Sequence, residues 1–357
     1  MLKKILYTYL IILISFSSFA QIGGKNTYNF LTLTNSARVA SLGGDNVSIV
    51  DKDVNLAFHN PALLTDSMSD NLTLNYVNYF SDINYGYVGY AKKYKDYGNF
   101  AAGIHYINYG DFTEADETGQ ILGSFSASEY SFNLTWAKKI DSLINFGVKL
   151  KAIYSELDTY YSFGLATDAG LVYYNPKNLF SAGFVVKNLG IQLNPYIDKQ
   201  REPLPFDLQL GITKQLKHAP LRFSFTAKNL LNLKMTYNNP TSTQTDIIIN
   251  SDTSANKIGK QIGHYADETF RHIIIGVEII PIKNFFVNVG YNYQRRKELK
   301  IETRAAMVGF SFGIGIKISK FYFSYGRATY HLAGASNHIS LSTNLSEFRK
   351  KVNPKDL

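Results

Sequence analysis

Between Met307 and Ile318 the side chains change character at every residue: Val308, Phe310, Phe312, Ile314, Ile316 and Ile318 alternate with Gly309, Ser311, Gly313, Gly315 and Lys317. A period of two belongs to an extended strand whose two faces meet different surroundings, because successive side chains of a strand point to opposite sides. The pattern recurs from Ile144 to Tyr154, where Ile144, Phe146, Val148, Leu150 and Ala152 are separated by Asn145, Gly147, Lys149 and Lys151, and again in Phe206 to Thr213 and Leu221 to Lys228. Segments of about 9 to 11 residues with this dyad suit a tilted strand that crosses a bilayer, whereas soluble sheets use strands of about 5 to 6.

About fourteen such segments follow one another, starting near Asn71, Ile83, Asn99, Ser126, Leu143, Ser162, Leu179, Pro205, Pro220, Phe270, Asn284, Arg304, Lys320 and Ser336. An even number returns both ends to one side of a closed sheet. The connections alternate in length. Lys139 to Ser142, Asn175 to Asn178, Gln215 to Ala219, Pro281 to Lys283 and Ser319 are short, while Gly110 to Phe125, Leu189 to Leu204, Leu231 to Thr269 and Gln294 to Thr303 are long. Tight turns on one side and long loops on the other are expected of an outer-membrane barrel. The connection at Ser81-Asp82 breaks the alternation and marks its neighbours as candidates for misregister. The expected fold is therefore all-β, a transmembrane antiparallel β-barrel of about fourteen strands.

Composition narrows the chemistry. The 357 residues include 26 Tyr, 24 Phe and 1 Trp, and only 18% are charged. Tyr76, Tyr79, Phe80, Tyr85, Tyr87, Tyr90, Tyr94, Tyr97, Tyr106 and Tyr109 fall at or near strand ends, as interfacial girdles would. With 0 Cys there is no disulfide, thiolate metal site or cysteine nucleophile. The net charge of +9 is dispersed and gives no reason to expect nucleic acid. The seven histidines form no metal-ligand spacing; His264, Asp267, Glu268 and His272 come nearest and read as polar residues of a long loop. Gly309, Gly313 and Gly315 sit on one strand face, leaving room for a neighbour rather than cradling a phosphate. No catalytic residue, cofactor site or metal site is expected, and the chain reads as a non-enzyme. Lys149, Lys151, Lys228 and Lys317 occupy the polar strand faces and are expected to line the lumen, as solvated residues or as an anion-attracting pore.

Residues 1–20 have the form of a signal peptide, with Lys3 and Lys4, an apolar run from Ile5 to Ile14, and Ser18-Phe19-Ala20 before a cut. Residues 21–70 lack the dyad, yet Leu42, Val47, Ile49, Leu56, Phe58, Leu63 and Leu64 are too many apolar side chains to leave in water. This segment is expected to be an ordered hatch or plug, followed by the barrel at 71–348 and a basic tail at 349–357. Arg38, Gly43, Gly44, Asn60 and Pro61 are its expected structural residues: glycines for a tight turn, proline for a fixed bend, Arg and Asn for hydrogen bonds to the lumen wall.

Two stretches of the hatch, Ser36 to Asp45 (SARVASLGGD) and Asn55 to Leu64 (NLAFHNPALL), resemble the N-terminal signature of long-chain fatty-acid transporter-like barrels. More narrowly, Leu74 to Tyr87, Ile107 to Gly110, Tyr161 to Ala166, Arg201 to Phe206 and Lys217 to Phe223 resemble the PorQ family of outer-membrane components of the type IX secretion system. That resemblance implies a non-enzymatic barrel in the outer membrane of a Gram-negative bacterium. It would anchor a PorZ-like surface protein in the attachment complex, alongside the sortase PorU and the shuttle barrel PorV. The long outer connections at Gly110, Leu189 and Leu231 are the expected docking surfaces. The superfamily signature alone implies the alternative, a channel or carrier for hydrophobic small molecules.

Overall fold

A computed structural model of the chain describes residues 26–198, 200–232, 235, 263, 265–299, 307–331 and 334–348. The expected leader at 1–20, the tail at 349–357 and most of the 231–269 insertion lie outside the described residues. Among the described residues there are fourteen strands: β1 (Asn71–Asn78), β2 (Asn84–Tyr94), β3 (Gly98–Ala115), β4 (Ile121–Lys139), β5 (Ile144–Leu157), β6 (Tyr160–Asn175), β7 (Phe180–Asn194), β8 (Asp207–Gln215), β9 (Leu221–Ala227), β10 (Ile273–Ile282), β11 (Phe285–Asn292), β12 (Phe310–Ile318), β13 (Phe321–His331) and β14 (Gly334–Asn344). They form one closed antiparallel barrel. Closure is made by β1 against β14, in register from Asn71↔Asn344 to Asn78↔Asn337.

Burial follows the dyad that the sequence carries. On β12, Phe312 and Ile314 are 40% and 50% exposed, while Ser311 between their neighbours is 1% exposed. The outward set makes an apolar band around the barrel, and the inward set faces the hatch. Among the described residues no helix is long and apolar enough to cross a membrane. Closing the sheet is what satisfies every ladder group in a hydrocarbon setting.

Several connections differ from the sequence expectation. The connection after β1 is a genuine tight turn, because Asn78 pairs with Asn84 across it. Gly110 to Phe125 is not a loop. After a register shift between Asn108 and Asp111, β3 and β4 stay paired to Ala115↔Ile121 and rise as a two-stranded ribbon. Polar side chains do not end a ladder whose backbone groups can still pair, so composition alone mistook this ribbon for a loop. β7 likewise runs to Asn194, inside the expected Leu189 to Leu204 loop, and Gln294 lies within helix α3 (Tyr293–Glu298). Gly309 precedes β12 in a turn with φ +87°, so only Gly313 and Gly315 belong to the strand face.

Candidate functional site: the hatch and its seat

The hatch threads the lumen from the loop end, where Thr27 N–H donates to Pro203 C=O at 3.0 Å, to the turn end, where Asp70 N–H bonds Ala91 C=O at 2.8 Å. It contains two short helices, α1 (Ala37–Ser41) and α2 (Asn55–His59), and a 3-10 turn at Pro61–Leu63. Local signals start and stop them. Ser36 caps α1, its side chain accepting from Val39 N–H at 3.4 Å. Gly43 and Gly44, with φ +103° and +107°, end it: Gly43 N–H bonds Ala40 C=O and Gly44 N–H bonds Val39 C=O. This is the paired closing bond of a left-handed helix terminus, a conformation that a Cβ disfavours. Asn60 caps the following turn by accepting from Ala62 N–H at 3.0 Å, with Pro61 in the first turn position, where its missing N–H costs nothing.

The wall meets the hatch with glycine. Inward-facing glycines are paired across neighbouring strands: Gly147↔Gly170, Gly183↔Gly211, Gly276↔Gly290 and Gly313↔Gly326. A Cβ at Gly147 would overlap Pro61 backbone, at Gly183 Val47 C=O, at Gly290 the Leu42–Gly43 peptide, and at Gly326 Ala37 C=O. The backbone of the hatch therefore lies directly against the backbone of the wall. Polar bonds complete the seat: Ala37 N–H to Ser340 Oγ at 2.9 Å, Asn292 Nδ2 to Gly43 C=O at 3.1 Å, Asn60 Nδ2 to Phe184 C=O at 3.4 Å, and Ser181 Oγ to Ser48 C=O at 2.6 Å.

Charge enters at three buried places. Arg38, with its side chain 5% exposed, donates Nε to Glu278 Oε1 on β10 at 2.8 Å and Nη2 to Asp51 Oδ2 at 2.8 Å, and lies 3.5 Å from Asp53. Arg222 of β9 shares Asp51 at 3.2 Å and Glu278 at 3.4 Å. Burial pushes the Asp51 carboxyl up, but Arg38 and Arg222 together hold it well below the ordinary carboxylate range. The second place is Asp45, 3.5 Å from His59 Nδ1 and 3.7 Å from both Lys187 and Lys228. Burial opposes its charge, and Lys187, His59 and Lys228 outweigh burial, leaving the carboxyl strongly acidic. His59 itself is lowered, first by burial.

The third place corrects the pore expectation. Lys149 and Lys151 are 1% and 4% exposed. Lys149 Nζ donates to Phe58 C=O at 2.5 Å, and Lys151 Nζ lies 2.8 Å from Asp168. They hold the hatch and each other's counter-ion and line no open lumen. Lys228 serves Asp45 in the same way, whereas Lys317 pairs with Glu347 at 3.1 Å. The girdle expectation divides similarly: Tyr76, Tyr94 and Tyr97 are 45%, 55% and 67% exposed, but Tyr85 and Tyr87 are buried, and Tyr85 OH donates to Thr34 C=O at 3.1 Å. Asp267 is no solvated loop residue either. Burial raises its carboxyl, and hydrogen bonds from Lys297, Tyr293 and Arg271 bring it down to about 2.

The partners of Arg38 were not singled out from the sequence. One signal was present: Glu278 interrupts the apolar run from Ile273 to Ile282, and on the inward face such a charge needs a counter-ion. Among the described residues no group of His, Cys, Asp and Glu could hold a metal ion.

An apolar zone covers the charged level at the loop end, and a cavity lined mostly by polar and charged residues opens at the turn end. At the loop end Tyr28, Phe30 and Leu31 of the hatch pack with Val77, Tyr85, Ile107, Ile153, Ala166 and Leu204. At the turn end a cavity of about 710 Å³ opens between the hatch and the strand ends, lined by Arg38, Asp51, Arg222, Phe286 and Tyr322 among others.

This architecture has counterparts among solved structures. A TodX deltaS2S3 mutant monoaromatic hydrocarbon channel superposes with a TM-score of 0.50 at 12% identity, covering 87% of this chain and 99% of that one. The chain shares that channel's fold. The Pseudomonas putida toluene transporter TodX, at TM-score 0.48 and 11% identity over 87% of this chain and 96% of its own, is among the other matches. So is a Pseudomonas aeruginosa FadL homologue, at 0.49 and 10% over 87% and 98%. Neither a family model nor a curated protein matches the chain.

Proposed function

We propose that the protein is an outer-membrane passage for a hydrophobic small molecule, gated by its own hatch. The observation that carries this reading is the apolar zone at the loop end. A barrel built for water-soluble solutes has a polar lumen, whereas here the entrance is closed by Tyr28, Phe30 and Leu31 packed on apolar wall residues. Withdrawing residues 27–33 leaves a recess lined by Val77, Tyr85, Ile107 and Ile153, suited to an aromatic or acyl body. The charged level beneath excludes ions as long as Arg38 and Asp45 keep their partners. The fold shared with a hydrocarbon channel fits this reading. No residue in it acts on a bond, and the reading is non-enzymatic.

The test is purification from outer membranes in mild detergent, extraction of bound small molecules, and uptake of a labelled hydrophobe by proteoliposomes. A Ser48→Cys/Thr213→Cys pair, whose native hydroxyl oxygens are 2.8 Å apart and each one bond from Cβ, pins the hatch to the wall when oxidised. Uptake that is lost on oxidation and regained on reduction supports the passage; uptake indifferent to the bridge rejects it.

A second reading, a PorQ-like surface scaffold in type IX secretion holding a PorZ-like protein, is favoured by the β3–β4 ribbon. It carries exposed Phe112, Ile121 and Leu122 clear of the membrane band. Co-purification of a surface protein with an empty lumen would support this reading over the first.

A further inference from the structure

One end of the barrel is ringed with lysine. Each of the six hairpins at the end where β1 starts and β14 stops bears lysine in its turn or at the end of the strand leading into it: Lys95, Lys138, Lys177, Lys214, Lys283 and Lys320, one from each hairpin, form no ion pair among the described residues. Nearby lysines that do have carboxylate partners, Lys92 with Asp70, Lys93 with Asp66 and Lys317 with Glu347, are left out of that set. The only exposed acids in these turns are Asp96 and Asp141. At the opposite end the first three connections hold Asp82, Asp111, Glu114, Asp116, Glu117 and Asp158 and no Lys or Arg.

Position decides what the lysines meet. Lys138 follows Phe132, Leu134 and Trp136 on the outward face of β4, and Lys214 follows Leu210 and Ile212 on β8. Ile140, Ile282 and Tyr97, at 68%, 63% and 67% exposed, sit in or beside the same turns. Ammonium groups directly beyond an outward apolar band, on stems that can lie along it, stand at headgroup level. A soluble partner has no reason to match a collar that continues right around the barrel, but a lipid leaflet surrounds it on every side.

We propose that this collar is a binding surface for the headgroups of anionic phospholipids in the leaflet at the hairpin-turn end of the barrel. The inference rests on the reading above that the protein is an outer-membrane barrel, which makes that leaflet the periplasmic one. Each lysine offers a compact positive charge to a phosphate without the fixed geometry of a guanidinium, so the surface selects charge rather than one headgroup shape.

The test uses the full mature protein in vesicles of phosphatidylcholine containing spin-labelled phosphatidylglycerol or spin-labelled phosphatidylcholine. The collar predicts a preference of about twofold or more for the anionic label in the motionally restricted population, falling as salt is raised. In a Lys138→Gln, Lys177→Gln, Lys214→Gln variant the preference drops, and replacing the same lysines by Arg retains it. Should that variant not fold, judged by the heat-dependent gel shift, Lys283→Gln with Lys320→Gln on the opposite sector replaces it. Equal restriction of both labels in wild type overturns the proposal, as does retention on peptidoglycan sacculi without lipid preference. Failure to insert at all would instead reject the barrel reading itself.

Discussion

The barrel has a tall wall and a short one. Strands β3 to β7 run 18, 19, 14, 16 and 15 residues, whereas β8 to β12 run 9, 7, 10, 8 and 9. A tilted crossing needs about 9 to 11 residues, so the short wall ends where the membrane does and the tall wall continues past it. The hatch treats the two differently. Helix α1 packs on β11 to β14, and the cation it carries is locked to Glu278 of β10. On the tall wall the Asn60–Pro61 turn leans on β4, β5 and β6 through glycine contacts and neutral bonds, with Lys149 and Lys151 as wall-borne cations. The projecting wall supports its own height by cross-strand pairing, and both walls hold the hatch by charge: the short one offers the carboxylate of Glu278 to Arg38, the tall one offers Lys149 to Phe58 C=O and Lys187 to Asp45.

The sharpest way to break this comparison is to remove the charge on the short wall. Arg38→Met leaves Glu278, 1% exposed, short of its main counter-ion, and should cost about 3 to 5 kcal/mol. Lys149→Met on the tall wall should cost less, because Asp168 keeps Lys151 at 2.8 Å. Urea titration of the heat-resistant gel band measures both, and equal losses would erase the distinction. Next in size, Ile314→Arg places a cation mid-strand on the lipid side of β12 and should cost about 2 to 4 kcal/mol. An open lumen would make the inward Ser311→Arg much milder. With the hatch in place Ser311 is 1% exposed, so the milder outcome is expected only after the hatch is deleted.

Smaller, at about 1 to 3 kcal/mol, is Gly290→Ala, whose methyl overlaps the Leu42–Gly43 peptide and lifts α1 from its seat. Limited proteolysis of the hatch reads this, with Gly123→Ala in the open ribbon as the neutral control. Acid should loosen the hatch in two stages. His59 has its proton affinity lowered by burial, so its contribution is complete above the ordinary value of 6.5 and fades as pH falls below it. Asp45 and Asp51 are held below their ordinary 3.8 despite burial, and their larger contribution is lost only below about pH 4. Asp53, raised by burial, works in the opposite sense and offsets a part. Ion conductance in planar bilayers should stay low at pH 7, rise slightly near pH 5 and rise steeply below 4; a flat profile would remove these groups from the seal. Least of all, replacing 113–124 by Asn-Gly, which closes the Phe112↔Phe125 pair with a two-residue turn, should leave stability within about 0.5 kcal/mol by the same urea titration.

The strand count and the facing of the strands were legible because a period of two has one consistent placement once a face is buried: each starting point expected near Asn71, Leu179, Asn284 or Lys320 lies within one residue of a real strand. Within the hatch, Gly43, Gly44 and Asn60 bond backbone groups two to five residues away, a range that a short window of sequence contains, whereas Arg38 meets Glu278 across the barrel.

What the chain's order of residues determined alone is the sheet, its facing and the caps of the hatch, since each depends on neighbours in sequence. Only the closed tertiary structure decided which charges meet. Arg38 and Glu278 are 240 residues apart, and their attraction has force because the barrel and hatch together exclude the water that would have solvated each of them separately.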